Sequence, residues 1–338
     1  MSIEESVTAA INYHKSGALT EALRLYREIL EVQPDHALVL QLLGCLHYQE
    51  KRYDAAISCY RRFLLNNAGN AEIFNNLGNI YFDLKELEEA IVCYQQALQF
   101  DGENAEIYNN LGIAFKEGGL FEQSELCYRR AIGLMPDYAE AHYNLGNVLR
   151  DKGELEEAIR SYGMALNIQP ANLIMLMSLG MALYEKGRHA DAYEVFQQAL
   201  AIDPSCIDAL NSSGVVLQDM GRYDEAVISI QRLLDIDPQN AQAHNNLGLA
   251  LQGQGLIDEA ELHYQTAIKL NSDFAVAYNN LGLVCQSKGK LDEAIKNFRT
   301  ALMKDEKAVV TYFNLASALN EKGNISEAVE SYRKALNI

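Results

Sequence analysis

The sequence contains no tryptophan and only five prolines in 338 residues. With helix breakers this scarce, and with Ala, Leu, Glu, Gln and Asn dominating, the composition is that of a helical chain. Basic residues are also in deficit. Lys and Arg number 28 against 46 Asp and Glu, a net charge of −18. No basic stripe is available to displace the counterions of a nucleic acid, so a nucleic-acid partner is not expected. An anionic membrane surface is disfavoured for the same reason. No run of about eighteen apolar residues occurs, so no membrane-spanning helix is expected. The opening Met1-Ser2-Ile3-Glu4-Glu5 lacks the basic and apolar regions of a secretory signal. The six cysteines form no Cys-x-x-Cys pair, which leaves zinc or thioredoxin-type chemistry without its ligands. Cys59, Cys93 and Cys127 are 34 residues apart, too far across a stack of helices for disulfides. They read as thiols in a reducing compartment, and a cytoplasmic location is expected.

What the sequence has in abundance is one line written ten times. Leu43-Gly44, Leu77-Gly78, Leu111-Gly112, Leu145-Gly146, Leu179-Gly180, Leu247-Gly248 and Leu281-Gly282 stand at multiples of 34 residues. Ser213-Gly214 and Leu315-Ala316 fill the two open places, and Ala9-Ala10 sits one period earlier. A period in this range marks a stacked-repeat architecture. Within one unit, Ile107, Tyr108, Leu111, Ala114 and Phe115 recur at helical spacing. Gly118-Gly119 ends that helix, because glycine takes the left-handed cap conformation without a Cβ clash. A second helix opens near Glu122, is expected to bury Leu126, Tyr128, Ala131, Ile132 and Leu134, and stops at Pro136.

The other units follow the same grammar. The turn glycine recurs, but Lys51 and Lys85 replace it twice, where backbone strain or a different turn is expected. Small residues such as Ala90, Ser124 and Ala158 are expected to face the glycine of the first helix. An aromatic follows four residues later, as in Tyr94, Tyr128 and Tyr162, with Ile230 the single departure. Such a stripe reads as core. One hairpin burying about eight apolar side chains, at roughly 1.5–3 kcal/mol each, cannot offset the ordering of its residues at roughly 1–2 kcal/mol apiece. Stability must lie in the stack, and residues 1–338 are expected to form one continuous array.

A Leu-Gly, a glycine turn, an alanine, an aromatic and a proline in this period resemble the tetratricopeptide repeat. The resemblance covers the whole chain, in ten units beginning near Ile3, Ala37, Ala71, Ala105, Ala139, Leu173, Ile207, Ala241, Ala275 and Val309. It implies an all-α fold: an α-solenoid, a right-handed superhelix of ten helix-turn-helix units whose first helices line a concave groove. It also implies a protein-interaction role.

The residue before the repeated Leu is Asn76, Asn110, Asn144, Asn246, Asn280 and Asn314 in six of the ten units, with Thr8, Leu42, Ser178 and Ser212 in the others. Asn75, Asn109, Asn245 and Asn279 stand one residue earlier, as does Asn211 in the seventh unit, and Asn79 and Asn147 lie one turn on. Asn in mid-helix costs several tenths of a kcal/mol against Ala, and these amides are expected to face outward from the stack. Duplication of one ancestral Asn is the alternative account of their number. As a functional feature, a row of amides, each with donor and acceptor, can satisfy the backbone of an extended peptide without reading its side chains. The row resembles the groove of O-linked N-acetylglucosamine transferase and SPINDLY-type proteins, which implies contact with a substrate polypeptide's backbone. The gaps at Leu42, Ser178 and Ser212 interrupt it.

Chaperone-binding arrays clamp a partner's terminal carboxylate with Lys and Arg. Here the corresponding seats hold Glu72, Glu106, Glu140, Asn75, Asn109 and Asn144. A neutral or basic extended segment is therefore expected in preference to an acidic tail. The sixth unit, Leu173-Ile174-Met175-Leu176-Met177 followed by Met181, is apolar all round, which places an apolar groove patch at Met177 and Met181.

Catalytic motifs fail in turn. Gly253-Gln254-Gly255 lacks the third glycine of a dinucleotide loop, and Gly289-Lys290 runs into Leu291. His142 and His244 hold a packing seat. No nucleophile–base pair, metal set or cofactor motif is present, and this chain alone is not expected to be an enzyme. An alternative is that it recruits substrate for a glycosyltransferase whose catalytic domain lies beyond Ile338, since its opening resembles large bacterial proteins carrying such arrays. Tyr332, Ala335 and Leu336 give the last helix an apolar face. A further domain, another protomer or a lattice neighbour is expected to cover it.

Overall fold

The structure, a computed structural model, describes residues 2–338. Among these residues there are twenty α-helices and no strand. They fall into two compact units, Met1–Pro170 and Ala171–Ile338. The first half stacks five hairpins: α1 (Ile3–Lys15) with α2 (Leu19–Val32), α3 (Ala37–Gln49) with α4 (Tyr53–Asn66), α5 (Ala71–Asp83) with α6 (Leu87–Phe100), α7 (Ala105–Glu117) with α8 (Phe121–Leu134), and α9 (Ala139–Asp151) with α10 (Leu155–Ile168). The second half repeats the scheme: α11 (Leu173–Glu185) with α12 (His189–Ile202), α13 (Ile207–Asp219) with α14 (Tyr223–Ile236), α15 (Ala241–Gly253) with α16 (Ile257–Leu270), α17 (Ala275–Ser287) with α18 (Leu291–Lys304), and α19 (Val309–Glu321) with α20 (Ile325–Leu336). This is the α-solenoid architecture, and the ten hairpins begin at the residues the repeat predicts.

Local chemistry sets the ends. Asn70, Asn104, Asn172 and Asn240 cap first helices, each side chain accepting the amide N–H three residues on. Each hairpin turn contains one residue with φ between +57° and +91°. Glycine supplies it eight times. Lys51 (φ 57°) and Lys85 (φ 66°) supply it in the other two, so these side chains pay the left-handed penalty that glycine avoids.

The core is the aromatic stripe. Tyr26, Tyr60, Tyr94, Tyr128, Tyr162, Phe196, Tyr264 and Phe298 are buried, as is Ile230 in the divergent hairpin. From Tyr60 onward each of these rings lies on the first-helix glycine of its own hairpin, whereas Ala10 holds that place in the hairpin of Tyr26. A Cβ on Gly112 would stand 2.7 Å from the Tyr128 ring, and one on Gly44 would stand 2.4 Å from Tyr60. The small residue also touches this glycine, as expected, since the Ser124 hydroxyl donates to the Gly112 carbonyl at 2.7 Å. In the seven hairpins that pair glycine with an aromatic, the ring leaves no room for a Cβ. Alanine holds the glycine's place in the first and last hairpins, as Ala10 and Ala316; Tyr26 is nevertheless buried, whereas Tyr332 is 36 % exposed.

One expectation about an apolar face needs correction. Leu126 is 68 % exposed, and Cys127 is buried in its place. Leu126 precedes Tyr128 by two residues, which puts it on roughly the opposite side of the helix. In α20, Ala335 is buried while Leu336 is 78 % exposed.

Candidate functional site

The first helices carry every residue singled out by the repeat, so the site is built on their common face. Its amides do not simply face outward. In the first half, the Asn110 amide N–H donates to Asn75 Oδ1 at 3.1 Å and that of Asn144 to Asn109 Oδ1 at 3.0 Å. Each bond joins the sixth residue of one first helix to the fifth residue of the preceding first helix. Asn109 is thereby buried, at 3 % exposure.

In the second half the rungs join into a relay. Asn314 donates to Asn279 (2.8 Å), Asn279 to Asn280 (3.4 Å), Asn280 to Asn245 (2.9 Å), Asn245 to Asn246 (3.3 Å) and Asn246 to Asn211 (2.8 Å). Six amides on four first helices point their donors the same way, and each bond polarises the next. Asn245, Asn246 and Asn280 are buried. The expectation that the paired amides lie wholly outside the stack is therefore corrected at Asn109, Asn245, Asn246 and Asn280. A carboxamide tolerates this burial because a neighbouring hairpin offers its complement, and a repeat offers that complement every time.

Asn75, Asn76, Asn110, Asn144, Asn279 and Asn314 stay half-buried on the same face. Asn79 and Asn147 are committed differently. They accept the hydroxyls of the core residues Tyr94 and Tyr162, both at 2.8 Å. The ninth residue of the first helix is an acceptor, Cys45, Asn79 or Asn147, for three of the core tyrosines, Tyr60, Tyr94 and Tyr162. In other hairpins it is apolar, as Ile113 in the hairpin of Tyr128 and Met181 in that of Phe196. Tyr264 uses Gln252 instead, at 2.8 Å.

A second set of rungs, which sequence reasoning missed, runs along the C-terminal ends of the first helices. Lys116 meets Asp151 at 3.3 Å, Tyr184 donates to Asp219 at 2.7 Å, and Gln286 donates to Glu321 at 3.0 Å. The signal was a donor at the twelfth residue and an acid at the thirteenth of the next helix. The Asp219 hydrogen bond holds the Tyr184 hydroxyl protonated, its pKa raised to about 12.

The N-terminal ends carry charge that nothing neutralises. Glu72, Glu106 and Glu140 are exposed and enter no ion pair among the described residues. In the second half the equivalent seats hold Ile174, Asp208, Gln242, Val276 and Val310, and Ile174, Val276 and Val310 are more than half exposed. The sixth hairpin divides its apolar run: Met175 and Leu176 are buried, whereas Met177 and Met181 are half-buried on the first-helix face.

The remaining reactive groups are quiet. Burial pushes the thiols of Cys59, Cys93 and Cys127 up to about 11, so they stay protonated at neutral pH. His142 and His244 make packing-seat contacts, each ring hydrogen-bonded to the carbonyl of Pro136 (2.9 Å) or Pro238 (3.1 Å). His244 also stacks on His263, with Nδ1 to Nδ1 at 3.1 Å. Among the described residues no group of three or more metal-ligating side chains gathers, and no helix is long and apolar enough to cross a membrane.

Comparison with known proteins agrees with the helical-repeat fold. Residues 135–338 match the family model described as the Cilia and flagella-associated protein 70 C-terminal domain. Residues 78–119 and 114–149 match a TPR repeat model, and residues 7–58 a tetratricopeptide repeat model. No match is found among curated proteins. A crystal structure of a tetratricopeptide repeat protein from Parabacteroides merdae is similar over 74% of this chain and 98% of its own, at 15% identity and TM-score 0.54. The Cut9-Hcn1 hetero-tetramer of the APC/C is similar over 88% of this chain and 59% of its own, at 17% identity and TM-score 0.52. YrrB, described as a TPR protein with an unusual peptide-binding site, is similar over 54% and 95%, at 24% identity and TM-score 0.49. The matching tetratricopeptide models describe repeats, and the Parabacteroides merdae and Cut9-Hcn1 structures show the same fold. The chain belongs to the tetratricopeptide-repeat proteins and, over more than half its length, to the family of the cilia and flagella-associated protein 70 C-terminal domain.

Proposed function

We propose that this chain is a non-catalytic protein-interaction module that holds an extended polypeptide along its first-helix face. The observation that carries this reading is the spare hydrogen-bonding capacity there. Each inter-hairpin rung uses one N–H and one carbonyl lone pair of an amide that has two of each. The half-buried Asn75, Asn110, Asn144, Asn279 and Asn314 keep the remainder on the surface, and Asn76 keeps all of its own. The buried Asn109, Asn245, Asn246 and Asn280 position these neighbours, and Met177 and Met181 add apolar contact. Glu72, Glu106 and Glu140 favour a neutral or basic segment.

The test is an immobilised array of random peptides of about twelve residues, probed with the full chain. Retention of neutral and basic peptides is expected. Replacing Glu72, Glu106 and Glu140 together by Gln should weaken the basic ones several-fold and flatten their salt dependence. Retention of no peptide, or preference for acidic ones, refutes the reading.

The same face suits the alternative in which the array presents substrate to a glycosyltransferase domain. The gene sequence following the codon for Ile338 decides between them. The uniform period across all ten hairpins supports their acting as one array, and six unpaired cysteines suit the cytoplasm. Self-association through the exposed Tyr332 and Leu336 is tested by sedimentation at rising concentration; a constant monomer mass removes it.

A further inference from the structure

The second half contains a small apolar cavity on the first-helix face, of about 120 Å³. Met181 and Tyr184 of α11, Phe196 of α12, and Asn211, Ser212 and Val215 of α13 line it. It sits where the amide row is interrupted, since the sixth residues of α11 and α13 are Ser178 and Ser212. Cavity space and missing amides therefore coincide.

Three features define what it can take. The first is size. An apolar cavity of about 150 Å³ holds one benzene, so this one admits the four heavy atoms of a Leu, Ile or Met side chain but not an indole. The second is the donor end of the amide relay. The Asn211 carbonyl accepts from Asn246 at 2.8 Å, while its own N–H groups donate to nothing among the described residues. The relay that starts at Asn314 thus ends in a polarised, unused donor on the cavity wall. The third is charge. Asp208 and Asp219, at the two ends of α13, are exposed and enter no ion pair among the described residues, although Asp219 accepts the Tyr184 hydroxyl.

We propose that this cavity is the anchor socket for an extended peptide, taking one Leu, Ile or Met side chain while Asn211 donates to the peptide's main-chain carbonyl and Asp208 and Asp219 attract a Lys or Arg on either side. The proposal rests on the peptide-binding reading above and sharpens it. The amides elsewhere are indifferent to side chains, and this position reads one.

The probes are fluorescein-labelled Gly-Lys-Ser-Xaa-Ser-Lys-Gly peptides with Xaa as Leu, Met, Ser or Trp, titrated by anisotropy against the full chain. Leu and Met should bind about ten-fold tighter than Ser, as expected for burying one aliphatic side chain, and Trp should gain nothing. Val215→Phe fills the cavity from its half-buried wall. It should abolish the Leu advantage and leave the Ser peptide within about two-fold. Met181→Ala enlarges the cavity and should move the preference from Leu to Trp, which keeps the test alive if the first variant does not fold. Equal binding of the Leu and Ser peptides overturns the socket and leaves the groove standing. A Leu preference that survives Val215→Phe also overturns the socket. Binding of no peptide overturns both readings.

Discussion

Replacing Asn280 by Ala tests whether the amide relay holds neighbouring hairpins together. Asn280 is 7 % exposed and donates at 2.9 Å to Oδ1 of Asn245, which is 1 % exposed. Truncation leaves that acceptor buried without its partner, a cost of about 1–3 kcal/mol. Ala regains up to about 0.7 kcal/mol of helix propensity. The expected net loss is therefore about 0.3–3 kcal/mol. Asn76→Ala is the internal control. It occupies the same place in its hairpin but has no side-chain hydrogen bond and is half-buried, so only the propensity gain applies, and stability should be unchanged or slightly raised.

The double variant Asn245→Ala/Asn280→Ala removes both partners and the orphan with them. Its loss should fall short of the sum of the single losses by roughly 0.5–3 kcal/mol. Long repeat arrays depart from two-state unfolding. The assay is therefore the guanidinium midpoint by far-UV circular dichroism together with hydrogen-exchange protection of α15 and α17. If Asn76→Ala and Asn280→Ala behave alike, or if the double variant is additive, the relay does not couple the hairpins.

Three further predictions follow from the same geometry. Gly112→Ala forces a Cβ to 2.7 Å from the buried Tyr128 ring and should cost about 1–3 kcal/mol, read as a lowered denaturation midpoint; the double variant Gly112→Ala/Tyr128→Ala, which removes the ring, should lose less than the sum of the two single losses. Lys51→Gly relieves φ 57° at a turn and should raise stability by up to about 1 kcal/mol, after the added chain entropy of glycine is subtracted; a fall in midpoint refutes the strain. Burial lowers the pKa of His263, with the facing His244 lowering it further and Glu259 on its own helix opposing. Its folded form is therefore held neutral, so the stability it contributes is complete above the unfolded value of about 6.5 and declines as pH falls below it. The thermal midpoint should drop between pH 7.5 and 5.5, and His263→Gln should reduce that drop.

The fold was legible because its determinants are local and repeated. The Leu111-Gly112 step, the left-handed turn at Gly119 and the core ring of Tyr128 each lie within a single hairpin, and their recurrence exposes the register. Leu126 misled because a leucine beside a core tyrosine looks buried until its angle around the helix is drawn. The ninth residue hides a second engagement. Asn79 and Asn147 share a face with the other amides, and each also gives a carbonyl lone pair to a tyrosine hydroxyl of its own hairpin. The pairing of Asn79 with Tyr94 was written in the sequence fifteen residues apart, but Ile113 in the hairpin of Tyr128 breaks the correlation between repeats.

The amides themselves show where such reading ends. A single hairpin contains no partner for Asn110, because that partner is Asn75 in the hairpin before it. The bond spans 35 residues, one more than the period, so two adjacent asparagines in each unit are required to make it: one to donate backward and one to accept from the next unit. This is why Asn109 and Asn110 come as a doublet, and why the relay runs through Asn245–Asn246 and Asn279–Asn280. Where the doublet fails, as at Asn211-Ser212, the acceptor survives and the backward donor is lost. The relay must then stop, and it stops at the cavity. An amide row that only bound peptide would need one asparagine per hairpin. The second is explained by coupling between hairpins, so ligand binding at one rung and stability of the neighbouring hairpins should be linked.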